Sequence, residues 1–135
     1  MELSKKQKQK IEEVAEKYQL KLVLLFGSRV DGKIHKESDY DVAYLSNRKL
    51  SFEEESRLNV AFTGIFPQPR ERVDTVDLKK MKPLMLFGIF RECQVLFAED
   101  NLIFPTYRAY AFKKYMEIKS FLEIQLKNKL KKYDI

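Results

Sequence analysis

The sequence predicts an α/β (α+β) fold, one mixed sheet flanked by helices with a further helix at the C-terminal side. Helical and strand signals alternate along the whole chain, which is the pattern of helices packed on a sheet. The 135 residues match one domain of ordinary size. A hydrophobic fraction of 44% beside 34% charged residues describes an apolar core under a well-solvated surface and excludes general disorder.

Ser4 to Tyr18 carries a capping serine and apolar positions at Ile11, Val14, Ala15 and Tyr18, which is helical spacing. Leu20 to Phe26 is a Leu/Val-rich run stopped by Gly27 and reads as a buried strand, with a short helix expected after it. Tyr40 to Leu45 reads as a second strand, with Asp39, Asp41 and Ala43 on one face and Tyr40, Val42 and Tyr44 on the other. Ser51 caps a helix whose first turn holds Glu53, Glu54 and Glu55, running to about Phe62 before Gly64. Pro67-Gln68-Pro69 breaks structure, and Arg72 to Leu78 has the Val and Thr content of a third strand.

Asp77 suits a helix N-cap. Pro83 sits near the start of an apolar helix through Phe90, whose Met85 to Phe90 run is expected in the core. A short strand spans Gln94 to Phe97. A long helix runs from Tyr107 to about Lys131, with Tyr110, Lys114, Ile118, Phe121, Leu122 and Ile124 forming a broken apolar stripe. No repeat or linker divides the chain, so one domain is expected over 1–135, with its core in about 1–100 and a helical extension over about 101–135. That extension is the one segment expected to project from the body.

The formal charge of +6 favours anionic partners: nucleotides, nucleic acid or an acidic protein surface. The single Cys93 excludes an internal disulfide and reads as a small buried hydrophobe in a reducing compartment. The first residues are charged and no run approaches the roughly 20 apolar residues of a membrane span. A cytoplasmic protein is the expectation.

The chemistry concentrates between Leu22 and Leu45. Asp39 and Asp41, two residues apart on a strand, point to one face with their tips a few ångströms apart. Either one of them holds a proton or a cation sits between them. A hard cation such as Mg²⁺ meets that need, completing its shell with water and phosphate oxygens. Gly27-Ser28 supplies the other half, because a glycine at a strand end lets an anion approach backbone N–H groups and Ser28 adds a hydroxyl donor. An isolated D-x-D reads as a solvated edge; Gly27-Ser28 at this distance reverses that reading.

The stretch GSRVDGKIHKESDYD fits the G-S-x10-D-x-D signature and resembles the polymerase-beta-like nucleotidyltransferase superfamily. The short chain is similar to its minimal members, the MntA antitoxin type that pairs with a HEPN-domain toxin of the HepT type. The similarity continues through VDTVDL and FRECQVLFAED to about Asp100. The resemblance implies a third catalytic carboxylate on a later strand. Asp74 is the choice over Asp77, which is better explained as a cap; Asp74 would share the metal and take the proton of the attacking hydroxyl.

It implies further that Asp39 and Asp41 hold two Mg²⁺ ions, and that Ser28 and the backbone from Gly27 to Arg29 grip the phosphates of ATP. The Arg29 side chain fits either a phosphate contact or a surface salt bridge. The implied reaction is AMP transfer from ATP to a tyrosine of a cognate HEPN-type ribonuclease toxin, the work of the antitoxin of a type VII toxin–antitoxin system; nucleic acid is not required as a partner. Two alternatives stand beside it: a catalytically weak antitoxin that acts by occlusion, and a nucleotidyltransferase acting on a small molecule or an RNA end.

Overall fold

The computed structural model describes residues 2–27, 40–66 and 73–133. Helix α1 (Lys5–Lys17) begins at Ser4, whose hydroxyl accepts from the Gln7 N–H while Gln7 Oε1 accepts from the Ser4 N–H. This reciprocal capping satisfies two amide donors that an open helix end would leave unpaired. After a turn with Gln19 at φ 54°, β1 (Leu20–Phe26) carries four consecutive fully buried residues, Leu22 to Leu25. A strand apolar on both faces must lie inside a sheet with cover on both sides, and β1 does.

The strand order is β3-β2-β1-β4. β2 (Tyr40–Ser46) and β4 (Cys93–Ala98) both pair antiparallel with β1, whereas β3 (Val73–Asp77) pairs parallel with β2. Two parallel neighbours need a crossover between them, supplied here by α2 (Phe52–Thr63). Ser51 caps α2 together with Glu54, and Glu54 also accepts both terminal amino groups of the Arg48 guanidinium.

The sheet separates two cores. On one side α1 and α2 pack Ile11, Ala15, Leu58 and Phe62 against Val23, Leu25, Val42 and Tyr44. On the other, α3 (Pro83–Arg91) and α4 (Ile103–Lys132) pack Leu86, Ile89, Phe90 and Ala111 against Leu22, Leu24, Ala43 and Leu45. Burial raises the Tyr44 hydroxyl well above its ordinary range, and the nearby Asp77 and Glu55 carboxylates add to this. Its phenol stays neutral.

Every element expected from the sequence within the described residues is present. The short helix after Gly27 and the Pro67-Gln68-Pro69 break fall outside them. Three details differ. Asp77 does cap a helical turn, but a 3-10 turn over Leu78–Lys80 that precedes α3 rather than starting it. The α3 segment is amphipathic instead of wholly buried: Leu86, Ile89 and Phe90 are inside, while Met85 is 46% exposed. And α4 starts four residues early, because Asp100 Oδ1 accepts from the N–H groups of Leu102 and Ile103 and Pro105 lies in the first turn, where its missing N–H has no partner to lose.

Phe62 is fully buried whereas Phe121 on α4 is 55% exposed. Phe62→Ala should therefore cost about 3–5 kcal/mol in urea unfolding, and Phe121→Ala less than about 0.5 kcal/mol.

The Arg48 hydrogen bond, followed by that from the Ser51 backbone, holds the Glu54 carboxyl down to about 2. A carboxyl depressed in the folded state adds stability above its unfolded pKa and loses it as pH falls through the folded value. Glu54→Gln should flatten the loss of stability between about pH 5 and pH 2, measured as urea midpoints across that range.

Candidate active site

One end of the sheet gathers the acidic residues. In the register across the strands, Asp74 of β3 stands opposite Asp41 of β2, Asp41 opposite Phe26 of β1, and Phe26 opposite Cys93 of β4. Adjacent strands lie about 4.8 Å apart, so the two carboxylates are immediate neighbours. They also share a face. Tyr40, Val42 and Tyr44 point into the α1/α2 core and Ala43 and Leu45 into the α3/α4 core, which places Asp41 on the α3/α4 side; Val76 in that same core places Asp74 there too. Asp77 falls on the opposite side, in register with Tyr44, and its carboxylate accepts from the Lys79 N–H at 3.0 Å.

Asp41 is half-buried and Asp74 exposed, so the pair is open to solvent from the β3 edge. Gly27 closes its other side. Its φ is +82°, and a Cβ there would collide with Asp41 Oδ2 and lie 3.2 Å from Asp41 Cγ. A glycine is thus required twice, by its left-handed backbone and by the carboxylate leaning over it. The sequence reading gave Gly27 only the task of admitting an anion; its contact with Asp41 crosses between strands and leaves no local signal.

Ser28, Arg29 and Asp39 lie outside the described residues. Among the described residues no group of three or more His, Cys, Asp or Glu side chains gathers as a metal cluster; Asp41 and Asp74 are the pair they contribute. Carboxylate oxygens are hard donors, and two of them on one face with open solvent beside them suit Mg²⁺ better than a thiolate- or imidazole-preferring ion. Cys93 is half-buried against the α3/α4 core. Burial raises its thiol, with Arg108 offsetting part of the effect, so it is a packing residue and a poor nucleophile at neutral pH.

Further along the same face, a cleft of about 670 Å³ opens between the 3-10 turn, α3 and α4, with Leu45, Leu78 and Leu86 as an apolar floor and Lys79, Tyr107 and Lys114 on its walls. Leu45 comes four residues after Asp41, a separation of about 13 Å along β2, and Leu78 begins the turn that follows β3. Lys79 and Lys114 belong to distant segments and share no spacing that a sequence reading could use.

A family model described as polymerase beta, nucleotidyltransferase, matches residues 9–102. Among characterised proteins, the protein adenylyltransferase MntA of Aphanizomenon flos-aquae (strain 2012/KM1/D3) is 28% identical over 116 residues, spanning 81% of this chain and 77% of that protein. A chain of a toxin–antitoxin structure with AMP-PNP superposes with a TM-score of 0.73 at 19% identity, over 91% of this chain and 98% of that one. A chain from the complex of tri-AMPylated Shewanella oneidensis HEPN toxin with MNT antitoxin gives 0.66 at 16% identity, over 92% and 96%. At these identities the structural likeness is one of fold.

Gly27→Ala forces a left-handed alanine against Asp41. It should lower stability by at least about 1–2 kcal/mol, read by urea unfolding, because the strain comes before any loss from a displaced carboxylate.

Proposed function

Because the chain belongs to the polymerase beta nucleotidyltransferase family, we propose that it transfers AMP from ATP to a tyrosine hydroxyl of a cognate HEPN-domain ribonuclease toxin, and so acts as the antitoxin of a type VII pair in the cytoplasm. The observation that carries the chemistry is the same-face register of Asp41 and Asp74 beside the Gly27 turn. The likeness to an adenylyltransferase named MntA and to structures containing toxin–antitoxin pairs supports the choice of acceptor. Residues 1–135 form a single transferase domain in this reading, with the catalytic core in about 1–100. Among the described residues no helix is long and apolar enough to cross a membrane.

The donor set fits Mg²⁺, which takes one or two carboxylates and leaves its remaining positions to water and phosphate oxygens. Asp39, Asp41 and Asp74 would hold two such ions. When bound, they supply charge neutralisation at the attacking and leaving oxygens. Ser28 and the backbone from Gly27 to Arg29 grip the β- and γ-phosphates. The tyrosine oxygen forms a bond to the α-phosphorus in line with the breaking α–β phosphoanhydride bond, Asp74 takes the phenol proton, and pyrophosphate leaves. The chain contributes placement and fixed charge rather than a covalent intermediate of its own.

The test is incubation with labelled ATP, Mg²⁺ and a candidate HEPN-domain toxin. Label should appear on a toxin tyrosine, and Asp41→Ala or Asp74→Ala should cut the rate by at least about 10²–10³-fold. Equal labelling by wild type and Asp41→Ala would sink the reading, as would an unlabelled toxin.

A further inference from the structure

Asp74 stands at a weak place in the sheet. β3 has five residues, Asp74 is the second of them, and among the described residues the strand pairs only with β2. Short edge strands open and fray more readily than strands paired on both sides. The Asp74 side chain is exposed, so packing does not hold it either. A metal-binding carboxylate has to be kept within about 0.5 Å of its working position, and neither a second strand nor a packed side chain does that here.

Asn59 of α2 supplies the missing restraint. Its carboxamide nitrogen donates to the Val73 carbonyl at 2.6 Å and to Thr75 Oγ1 at 3.3 Å, and these are the residues immediately before and after Asp74. A carbonyl can only accept, so the nitrogen of the carboxamide and not its oxygen must face β3, and that nitrogen has two hydrogens for the two acceptors. Both bonds are partly buried and join residues 14 and 16 positions apart. The helix that carries Asn59 is itself well anchored, with Leu58 and Phe62 fully buried on either side of it in sequence.

The brace comes from the face opposite the site. Val73 packs in the α1/α2 core and Thr75 shares its strand parity, whereas Asp74 lies on the α3/α4 face. Asn59 therefore fixes the backbone on both sides of Asp74 without touching the carboxylate or narrowing the opening to solvent beside it.

We infer that Asn59 is a positioning residue for the metal site: by clamping Val73 and Thr75 to α2 it holds Asp74 level with Asp41, where Mg²⁺ can meet both carboxylates. This rests on the proposed function for the role of Asp74 as a metal ligand, but not for the acceptor of AMP. The crossover helix thus has two tasks, delivering β3 to the edge of the sheet and locking the part of it that carries the carboxylate.

The test measures Mg²⁺ affinity of the full chain by calorimetry, in the presence of a non-hydrolysable ATP analogue, within a double-mutant cycle that includes Asp74→Ala. Asn59→Ala removes both donors; Asn59→Leu removes them while keeping the side-chain volume, and both replacements suit a helix. Each should weaken Mg²⁺ binding about 10–100-fold with the circular dichroism of the fold unchanged. In the Asp74→Ala background neither should weaken it further, because a residue that acts through Asp74 then has nothing left to place. Wild-type Mg²⁺ affinity in both Asn59 variants overturns the proposal and leaves Asp74 as a ligand. Equal further weakening in the Asp74→Ala background also overturns it, since that marks a general effect on the fold. If Asp74→Ala alone binds Mg²⁺ no more weakly than wild type, Asp74 is not a ligand and the positioning role falls with that reading. Mg²⁺ binding that depends on Asn59 through Asp74, with no AMP transfer to a candidate HEPN-domain toxin, leaves the positioning role standing and overturns the proposed acceptor.

Discussion

The parallel register between β2 and β3 is the constraint from which the site follows. It sets Asp74 beside Asp41 on one face, a placement that costs stability because like charges directly opposite on adjacent strands repel. The fold holds them there through everything around them. β2 is pinned by β1 on its other edge, Val42 and Ala43 are buried on opposite faces, and Asn59 of α2 donates to the Val73 carbonyl at 2.6 Å. A slip of one residue would turn the aspartate toward Tyr40's side and expel it from the pair. Local conflict maintained by well-packed surroundings is what a functional site is expected to show.

The two sides of the sheet carry different burdens. The α1/α2 side is closed by a continuous apolar cluster with capped helices at both starts, and holds the fold together. The α3/α4 side carries the paired carboxylates at one end, the cleft beneath Tyr107 and Lys114 further along, and the projecting half of α4. The candidate site among the described residues lies on the face whose helices cover it incompletely.

Much of this was legible because its causes are local. Leu20–Phe26 announces a strand by an apolar run ended by a glycine, and Ser4 and Ser51 announce helix starts by the residue three places on. Strand parity puts Tyr40 and Asp41 on opposite faces. What was not legible has causes distant in sequence. The start of α4 depends on the Asp100 side chain reaching past the turn to the N–H groups of Leu102 and Ile103. Met85 sits outside because α3 has a single packed side. Gly27's steric partner is Asp41, and the register that pairs Asp41 with Asp74 depends on where α2 delivers β3. The apolar stripe of α4 was visible as letters, but only the fold shows that the body ends before it does. Ser28, Arg29 and Asp39 remain readings of the sequence, resting on the motif.

The crossover through α2 has a kinetic implication. β1 and β2 are neighbours in the chain order and can pair as an antiparallel ribbon, but β3 can join only after α2 has been laid across the sheet, and such non-local parallel pairing is slow because loop-closure entropy is lost before contacts form. A newly synthesised chain therefore carries Asp41 on a nascent ribbon while Asp74 is still unplaced. Until β3 is in place, Asp41 lacks the same-face neighbour that the finished sheet gives it.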